Sequence, residues 1–473
     1  MPPPVMLSEV MVAAGARLVG ELAHDTAFRW IERDSRVLQP GDLFIAVRGE
    51  LFDGHDFVAD AAAKGAAAAL VSIDWAADNA ANAPVPLLVV PDPVLALQEV
   101  ARARRKQRDV TVVGITGSIG KTSTKEVVAA VVGQKWTTYR SPGNLNSEIG
   151  LPLSLLEMQD DVEAAVFEMG GAYAFGELAL LASIALPKIG VVTNVHPVHL
   201  ERMGTIDNIA RTKAELVESL PPDGVAVLNG DDARVLAMAE LAPGGVITYG
   251  LSPTNDVWAS DVESEGLRGS TFKLHLAGET HHVRVPLVGG HAPYLALPAI
   301  AVGHALGMHI SEMLPGFDDP EIQVRLLVLD GPNGSMLIDD TYNASAPSVL
   351  SALGLLDEIA PGRRIAVLGD MRELGEESET QHRVVGRRAA EVVDELITFG
   401  PLAQLIADAA VLAQQEEVEA RVERVRSFAI DERDALIAYL RQESAEGDVV
   451  LLKGSRGLEM ERIVAALQPS GED

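Results

Sequence analysis

The sequence predicts an α/β protein of three domains, and three observations lead to that prediction. Its 473 residues are about three times the length of an average domain. Short apolar runs of strand type alternate with helix-like segments, as in parallel sheets covered by helices. A glycine-rich loop with a lysine lies between one such strand and a helix. We expect domains at residues 1–106, 107–320 and 321–473.

The first domain is predicted to be a small α/β unit. Apolar strand runs at 43–47 and 67–72 flank an alanine-rich helical stretch at 58–64. A dense basic cluster at 102–108 follows. We interpret that cluster as a solvated helix end and linker, with a phosphate site as the alternative.

The second and third domains are predicted to contain parallel sheets. Buried-type strands of the central domain are expected at 110–116, 164–168, 189–194 and 225–229, followed by an antiparallel patch at 255–288 and a helix at 292–308. Strands of the third domain are expected at 336–339, 364–368, 395–399 and 449–453. Alanine-rich helices between the last set indicate a Rossmann-like, doubly wound C-terminal domain.

Residues 114–123 (Gly-Ile-Thr-Gly-Ser-Ile-Gly-Lys-Thr-Ser) predict a triphosphate site at a helix N-terminus. Lys121 would place its charge between the β- and γ-phosphates, and Thr122 would offer its hydroxyl to magnesium. The pattern is shorter than usual, since Ile115 stands where a glycine is expected. The ATP-binding residues predicted here are Gly117, Ser118, Ile119, Gly120, Lys121, Thr122 and Ser123.

Polar residues at the carboxyl ends of the predicted strands are further candidates, because ligands of open α/β sheets bind there. Glu168 ends a buried strand and is predicted to bind Mg²⁺, with helix capping as the alternative. His199 follows the next strand and is either a second ligand or a structural histidine. Asp339 and Asp340 fit a turn equally well.

The composition limits the function classes. The net charge of −30 argues against a nucleic-acid partner. Without cysteine the chain forms no disulfide, thiolate zinc site or cysteine nucleophile. The N-terminus lacks a leader pattern and no apolar run reaches the ~18 residues needed to span a bilayer. We therefore expect a soluble, cytoplasmic protein.

Motifs along nearly the whole chain resemble the Mur ligase family. In the first domain these are residues 34–36 (Asp-Ser-Arg), 40–46 and 53–55 (Asp-Gly-His). In the central domain they are residues 116–123, 143–146 (Gly-Asn-Leu-Asn), 168–170 (Glu-Met-Gly), 199–201 (His-Leu-Glu) and Lys213. In the third domain they are residues 339–344 (Asp-Asp-Thr-Tyr-Asn-Ala), 368–371 and 453–456 (Lys-Gly-Ser-Arg). The resemblance implies a uridine-nucleotide-binding first domain and a P-loop ATPase-like central domain.

The resemblance also implies an activity: ATP-dependent addition of D-alanyl-D-alanine to UDP-N-acetylmuramoyl-tripeptide through an acyl phosphate, for peptidoglycan synthesis. ATP and Mg²⁺ are the implied nucleotide and metal, and a monomer is expected. By the same resemblance, the catalytic residues are Lys121, Lys213, His199 and Arg325, and ATP is also bound by Asn229 and Asp340. The resemblance implies that metal is bound by Thr122, Glu168, His199 and a carbamate on Lys213. It also implies that the UDP substrate is bound by Ser35, Arg36, Asp53, Gly54, Asn144 and Asn146, and a peptide carboxylate by Lys453 and Arg456.

Each of these family-derived roles has a plain alternative. From sequence alone, Lys213 reads as a surface helix lysine, Arg325 as a linker arginine, and Lys453 with Arg456 as strand-end charges. Ala292 and Leu295 stand where relatives carry asparagine, so adenine recognition would fall to backbone groups or to Tyr294. The sequence does not indicate whether the third residue of the accepted peptide is diaminopimelate or lysine.

Other functions remain open at this point. The preceding ligase of the pathway, which adds diaminopimelate or lysine, is the next candidate, and a folate-polyglutamate ligase is a weaker one. A P-loop nucleotide switch is the alternative from another class. The ligase interpretation further predicts that the third domain swings in to complete the ATP site.

Overall fold

A computed structural model describes residues 2–49, 52–171, 174–198, 200–319, 322, 327–416 and 420–468. His199 and Arg325, both predicted to be catalytic, lie outside these residues. The described chain forms three α/β units, each built on its own large sheet. None of the helices in the described part of the chain is both long and apolar enough to cross a bilayer.

The first unit is a five-stranded sheet with a small two-stranded ribbon beside it. The large sheet has the order β2-β7-β6-β5-β4, and β1 pairs with β3. All neighbours in the large sheet are parallel except β2 and β7. The strands of the first unit are β1 (Val5–Met6), β2 (Arg17–Val19), β3 (Ala27–Phe28), β4 (Ile31–Glu32), β5 (Leu43–Ile45), β6 (Ala68–Ser72) and β7 (Leu87–Val90). Its helices are α1 (Leu7–Ala14), α2 (Val58–Ala63), α3 (Ile73–Asn79) and α4 (Pro93–Lys106).

The central unit has a nine-stranded sheet in the order β16-β15-β14-β13-β12-β11-β8-β10-β9. Strands β8 to β14 are parallel, and β14 to β16 add the predicted antiparallel patch to the same sheet. The strands are β8 (Thr111–Thr116), β9 (Thr138–Arg140), β10 (Ala164–Glu168), β11 (Ile189–Val192), β12 (Val225–Asn229), β13 (Gly245–Gly250), β14 (Val257–Ser264), β15 (Ser270–Leu276) and β16 (Glu279–Val285). The helices are α5 (Lys121–Val132), α6 (Gly150–Glu157), α7 (Glu177–Ala185), α8 (Leu200–Met203), α9 (Ile206–Glu218), α10 (Ala233–Leu236), α11 (Ala292–Ala305) and α12 (Ile310–Met313).

The third unit is the predicted doubly wound fold. Its six-stranded sheet has the order β17-β18-β22-β19-β20-β21 and is parallel except at β17. The strands are β17 (Leu327–Asp330), β18 (Met336–Asp339), β19 (Arg364–Gly369), β20 (Glu395–Phe399), β21 (Arg424–Phe428) and β22 (Val449–Lys453). The helices are α13 (Ala346–Ile359), α14 (Ser378–Val392), α15 (Gln404–Gln415), α16 (Arg433–Glu443) and α17 (Glu461–Leu467).

The first and central units share a hydrophobic core. One cluster of buried side chains runs from Val5 and Leu97 of the first unit to Leu151 and Leu181 of the central unit. The apolar clusters of the third unit, among the described residues, contain only its own side chains. The first two units are therefore held together by apolar burial, which is the main stabilising term in folding.

The prediction that the basic cluster at 102–108 is a solvated linker was wrong. Arg104 and Arg105 are 6% and 8% exposed. Arg105 donates hydrogen bonds to the carbonyls of Ala185 (2.7 Å), Arg108 (2.9 Å), Val110 (2.9 Å) and Leu186 (3.3 Å). The cluster thus fastens α4 to the end of α7 in the central unit.

Candidate active site

The phosphate loop lies where the order of the central sheet reverses. It follows β8, which has β10 on one side and β11 on the other. Gly117 has φ +148°, and a Cβ there would lie 1.9 Å from Thr193 Oγ1. Gly120 has φ +82° and is the N-cap of α5. Both glycines are therefore required by the backbone path, as expected for a loop that wraps phosphate.

The end of β11 supports the loop from below. The amide side chain of Asn194 accepts from Ile119 N at 2.9 Å and donates to Ile119 O at 3.0 Å. The Ser118 hydroxyl accepts from His196 N (2.9 Å) and donates to His196 O (3.0 Å). Asn194 was noted in the sequence only as a strand end, and its bidentate contact was not predicted. It fixes the loop before any nucleotide arrives.

Lys121 lies over the loop. Its Nζ donates to the carbonyls of Gly117 (2.9 Å) and Ser118 (3.2 Å). These neutral carbonyl partners hold the ammonium on the loop, at the N-terminal end of α5. A triphosphate in the loop would meet this charge together with the backbone amides.

Thr122 and Glu168 meet next to the loop. The Thr122 hydroxyl donates to Glu168 Oε2, and Asn146 Nδ2 donates to Glu168 Oε1 at 2.6 Å. Thr122 and Glu168 are 5% and 2% exposed. Because Mg²⁺ prefers oxygen ligands, this buried hydroxyl and carboxylate fit the predicted metal site. Asn146, predicted to bind the UDP substrate, orients Glu168 through this contact.

Lys213 is buried in the central unit, so the interpretation of it as a surface lysine was wrong. It lies on α9, is 3% exposed, and its Nζ donates to Gly171 O at 2.6 Å. Burial, reinforced by the positive charge of Lys121, lowers the pKa of Lys213 to about 7, against an opposing effect of nearby acids that include Glu168. The amine is therefore substantially neutral near neutral pH.

The residues after β12 brace the site from the other side. Asn229 Nδ2 donates to Thr193 O at 2.8 Å, and Asp232 accepts from Val195 N at 2.8 Å. Asp231 accepts the hydroxyl hydrogen of Tyr294 at 2.9 Å. The side-chain amide of Asn229, predicted to bind ATP, thus supports the strand end that carries Asn194.

The carboxyl end of the third unit's sheet faces the same region. Lys453 Nζ donates to Asp340 Oδ2 (2.6 Å) and to Asn343 O (2.9 Å). Burial and the charge of Lys453 lower the pKa of His291, the N-cap of α11 in the central unit. His291 Nδ1 also lies 3.0 Å from the Ser351 hydroxyl. The third unit therefore contacts the central one near the loop.

Two other third-domain predictions have simple geometry. The guanidinium of Arg456 lies 5.2 Å from the centre of the Tyr342 ring. Asp339 Oδ1 accepts from the backbone and hydroxyl of Thr341, at 3.0 and 2.6 Å, as expected of a turn acid.

The predicted UDP-substrate residues of the first unit form two small turns. Arg36 pairs with Asp34 at 2.7 Å, next to Ser35. Asp53 accepts from His55 Nδ1 (2.6 Å) and from Arg48 Nε (3.0 Å). A Cβ on Gly54 would lie 2.5 Å from Val47 N, so only glycine fits.

These two turns belong to the first unit, whereas the predicted UDP residues Asn144 and Asn146 lie in the central one. Asn144 O accepts from Asn146 N at 2.7 Å, which closes a tight turn between them.

Comparison with known proteins identifies the family. Residues 28–105 match the model described as Mur ligase family, catalytic domain; residues 115–303 match the Mur ligase middle domain; and residues 324–456 match the Mur ligase, glutamate ligase domain. The chain belongs to the Mur ligase family. This confirms the resemblance found in the sequence.

Relatives similar over nearly their whole length include two ligases of the same name. A UDP-N-acetylmuramoyl-tripeptide--D-alanyl-D-alanine ligase of Bacillus subtilis (strain 168) is 33% identical over 93% of this chain and 93% of its own. The enzyme of the same name from Escherichia coli (strain K12) is 35% identical over 96% of this chain and 97% of its own.

Two solved structures of MurF are similar to this chain over nearly its whole length. A MurF crystal structure from Acinetobacter baumannii has a TM-score of 0.85 and 30% identity, covering 99% of both chains. MurF ligase from Thermotoga maritima in complex with ADP has a TM-score of 0.74 and 28% identity, covering 93% of this chain and 97% of its own.

Proposed function

We propose that this chain is an ATP-dependent amide ligase that adds D-alanyl-D-alanine to UDP-N-acetylmuramoyl-tripeptide. The main observation is the buried Thr122–Glu168 contact beside a phosphate loop, with a buried Lys213 whose pKa responds to both Lys121 and Glu168, in a chain whose relatives over nearly their whole length carry that activity. A nucleotide switch has no need of a buried, partly neutral lysine next to its metal residues. We further propose that the reaction uses ATP, that it takes place in the cytoplasm and that the enzyme acts as a monomer.

The chemistry brings several anions together, so the protein's main task is positioning and charge neutralisation. The peptide carboxylate attacks the γ-phosphorus of ATP and forms an acyl phosphate while ADP leaves. The dipeptide amine then attacks the acyl carbon and phosphate leaves, which forms the amide. Lys121 and the loop amides would hold the phosphates. Bound Mg²⁺ would supply positive charge to the phosphate oxygens, with Thr122 and Glu168 as its protein ligands.

Lys213 is proposed to carry a carbamate. Its neutral amine would attack CO₂, forming an N–C bond and releasing one proton to solvent. The product is an anionic oxygen donor beside Glu168 and Thr122. His199 is proposed as a further metal ligand. The low pKa of Lys213, about 7, supports this step because only the neutral amine reacts.

The remaining roles follow the same arrangement. Arg325 and Asp340 are proposed to reach ATP from the third domain, 321–473, when it closes on the central domain, 107–320. Lys453 and Arg456 are proposed to bind a peptide carboxylate, which requires Lys453 to exchange its contact with Asp340. The first domain, 1–106, is proposed to bind the UDP substrate through Ser35, Arg36, Asp53 and Gly54, and Asn144 and Asn146 of the central domain are proposed to bind the same substrate.

A coupled phosphate-release assay tests the function. UDP-N-acetylmuramoyl-tripeptide with D-alanyl-D-alanine is expected to give phosphate release that depends on both substrates. UDP-N-acetylmuramoyl-dipeptide with diaminopimelate or lysine serves as the competing pair, and activity only with that pair would assign the preceding ligase. ATP hydrolysis that needs neither substrate would assign a switch. Tripeptides ending in diaminopimelate and in lysine, compared in the same assay, show which one is accepted.

A further inference from the structure

One fully buried cation near the site has no part in the proposed chemistry. Lys125 lies on α5, one helical turn after Lys121, and is 0% exposed. Burying an ammonium costs several kcal/mol unless it is paired and hydrogen-bonded. Lys125 Nζ lies 2.9 Å from Glu126 Oε1, and Glu126 also pairs with Arg140 at 3.2 Å. Glu126 thus balances the charge, which leaves the direction of the ammonium's other bonds to be explained.

Those other bonds go to one loop. Lys125 Nζ donates to Ser141 O and, at 3.1 Å, to Gly143 O. Gly143 has φ +53°, so the chain turns sharply where the ammonium holds it. The two carbonyls therefore share one donor that belongs to the phosphate-loop helix.

The same loop holds Glu168 through two contacts and Gly170, two residues later, through a third. Ser141 Oγ accepts from Glu168 N at 3.2 Å, and Asn146 Nδ2 donates to Glu168 Oε1 at 2.6 Å. In addition, Asn146 O accepts from Gly170 N at 2.8 Å, just past the end of β10. A continuous chain of contacts thus runs from Lys125 through residues 141–146 to the carboxylate that meets Thr122.

We propose that Lys125 is a positioning residue: it ties the 141–146 loop to the phosphate-loop helix and thereby aims Glu168 at the Mg²⁺ of the bound nucleotide. The inference rests on the proposed function only in taking Thr122 and Glu168 as the metal residues. Groups behind metal ligands typically change metal affinity about 10–100-fold when removed. Because Lys125 contacts the 141–146 loop, we expect its removal to weaken the Mg²⁺ dependence of ATP binding and to leave phosphate binding by the phosphate loop itself unchanged.

The test uses the full chain and the variants Lys125→Met and Lys125→Gln. Binding of ATP is measured by calorimetry across a Mg²⁺ titration and again with EDTA. For Lys125→Met the Mg²⁺ concentration that gives half of the binding gain should rise about 10–100-fold, while ATP affinity in EDTA stays near that of the unaltered chain. Lys125→Gln keeps two donors and should recover part of the response. Lys135→Met, which removes an ammonium just beyond the same helix, is the matched control and should respond like the unaltered chain.

A double-mutant cycle separates positioning from general loosening. If Lys125 acts through Asn146, the losses of Lys125→Met and Asn146→Ala should be clearly less than additive. Additive losses, a folded Lys125→Met with the unaltered Mg²⁺ response, or a glutamine variant no better than methionine would each overturn the inference. Should Lys125→Met fail to fold, Lys125→Gln carries the test, and a full Mg²⁺ response in it would be the overturning result.

The measurement is independent of the ligase reaction, because it needs no muramoyl peptide. If the unaltered chain binds Mg²⁺ and ATP but joins no dipeptide, the proposed function fails and the inference stands or falls on the variants. If the unaltered chain is an active ligase and Lys125→Met responds normally to Mg²⁺, only the inference fails.

Discussion

The pKa of Lys213 is the most direct quantity to measure. Burial and Lys121 lower it to about 7, whereas a solvent-exposed lysine titrates near 10.4. At pH 7.5 about three quarters of the Lys213 amine would be neutral, against about 0.1% for an exposed lysine. The structure therefore predicts a neutral fraction several hundredfold larger for Lys213 than for a surface lysine, and only the neutral amine reacts with CO₂.

The experiment follows the carbamate by ¹³C NMR in metal-free and nucleotide-free protein at a fixed concentration of dissolved ¹³CO₂. Carbamate formation consumes neutral amine and releases a proton. Below the pKa the amount of carbamate should rise about a hundredfold per pH unit at low occupancy, because the neutral fraction of the amine and the release of the proton each contribute about tenfold. Above the pKa it should rise about tenfold per pH unit, because the amine is already neutral and only the proton release still depends on pH. The change of slope is expected near pH 7, and Lys213→Met should remove the signal.

Two results would refute this reasoning. A change of slope near pH 10.5 would mean that Lys213 titrates like an exposed lysine, and the burial argument would fail. A signal that survives in Lys213→Met would belong to another amine. Activity gives an independent check: Lys213→Ala should lose turnover, and added short carboxylates should restore part of it by supplying the missing oxygen donor.

Three further predictions concern the framework. Arg105→Met leaves four backbone carbonyls without the donor they have in the structure. It should lower the free energy of unfolding of the first two units by about 2–4 kcal/mol, measured as a lower unfolding temperature in calorimetry. Lys106 is exposed, so Lys106→Met is the control and should change the unfolding temperature little. Gly54→Ala forces the backbone clash described above and should cost about 1–3 kcal/mol or more, with weakened binding of UDP-N-acetylmuramoyl-tripeptide in calorimetry; unchanged unfolding and binding would contradict it. Because the chain has no cysteine and the side chains of His291 and Ser351 lie in contact, a short thiol-reactive cross-linker should join His291→Cys to Ser351→Cys, detected as a mobility shift on a gel, and each single variant is its control.

Much of the fold was accessible from the sequence because its central strands are buried on both faces. The predicted strands at 164–168, 225–229, 336–339, 395–399 and 449–453 have the bounds observed in the structure. Short or polar edge strands such as β9 (Thr138–Arg140) and β21 (Arg424–Phe428) were missed, because half-exposed strands carry no apolar run.

The site was accessible only as far as local patterns extend. The phosphate loop was visible because it directly follows a buried strand, and Glu168 because it ends one. The contact of Asn146 with Glu168 joins residues 22 positions apart, and Arg105 reaches Ala185 across 80 positions. A run of basic residues in the sequence predicts a solvated segment. The sequence does not show that the carbonyls at the end of α7, which are distant along the chain, lie within reach of the Arg105 side chain.

The distribution of apolar and polar contacts indicates which domain moves. The first and central units share a buried apolar cluster and the Arg105 contacts, so separating them would expose apolar surface and remove the Ala185 and Leu186 carbonyls from the Arg105 guanidinium. Among the described residues, the third and central units share no buried apolar cluster, and polar pairs such as Ser351 with His291 and Ser264 with Glu358 join them. Polar contacts of this kind exchange with water at little cost, and interfaces built from them permit relative motion. Domain closure on nucleotide should therefore be a swing of the third unit alone, with the first unit held at a fixed distance from the phosphate loop throughout.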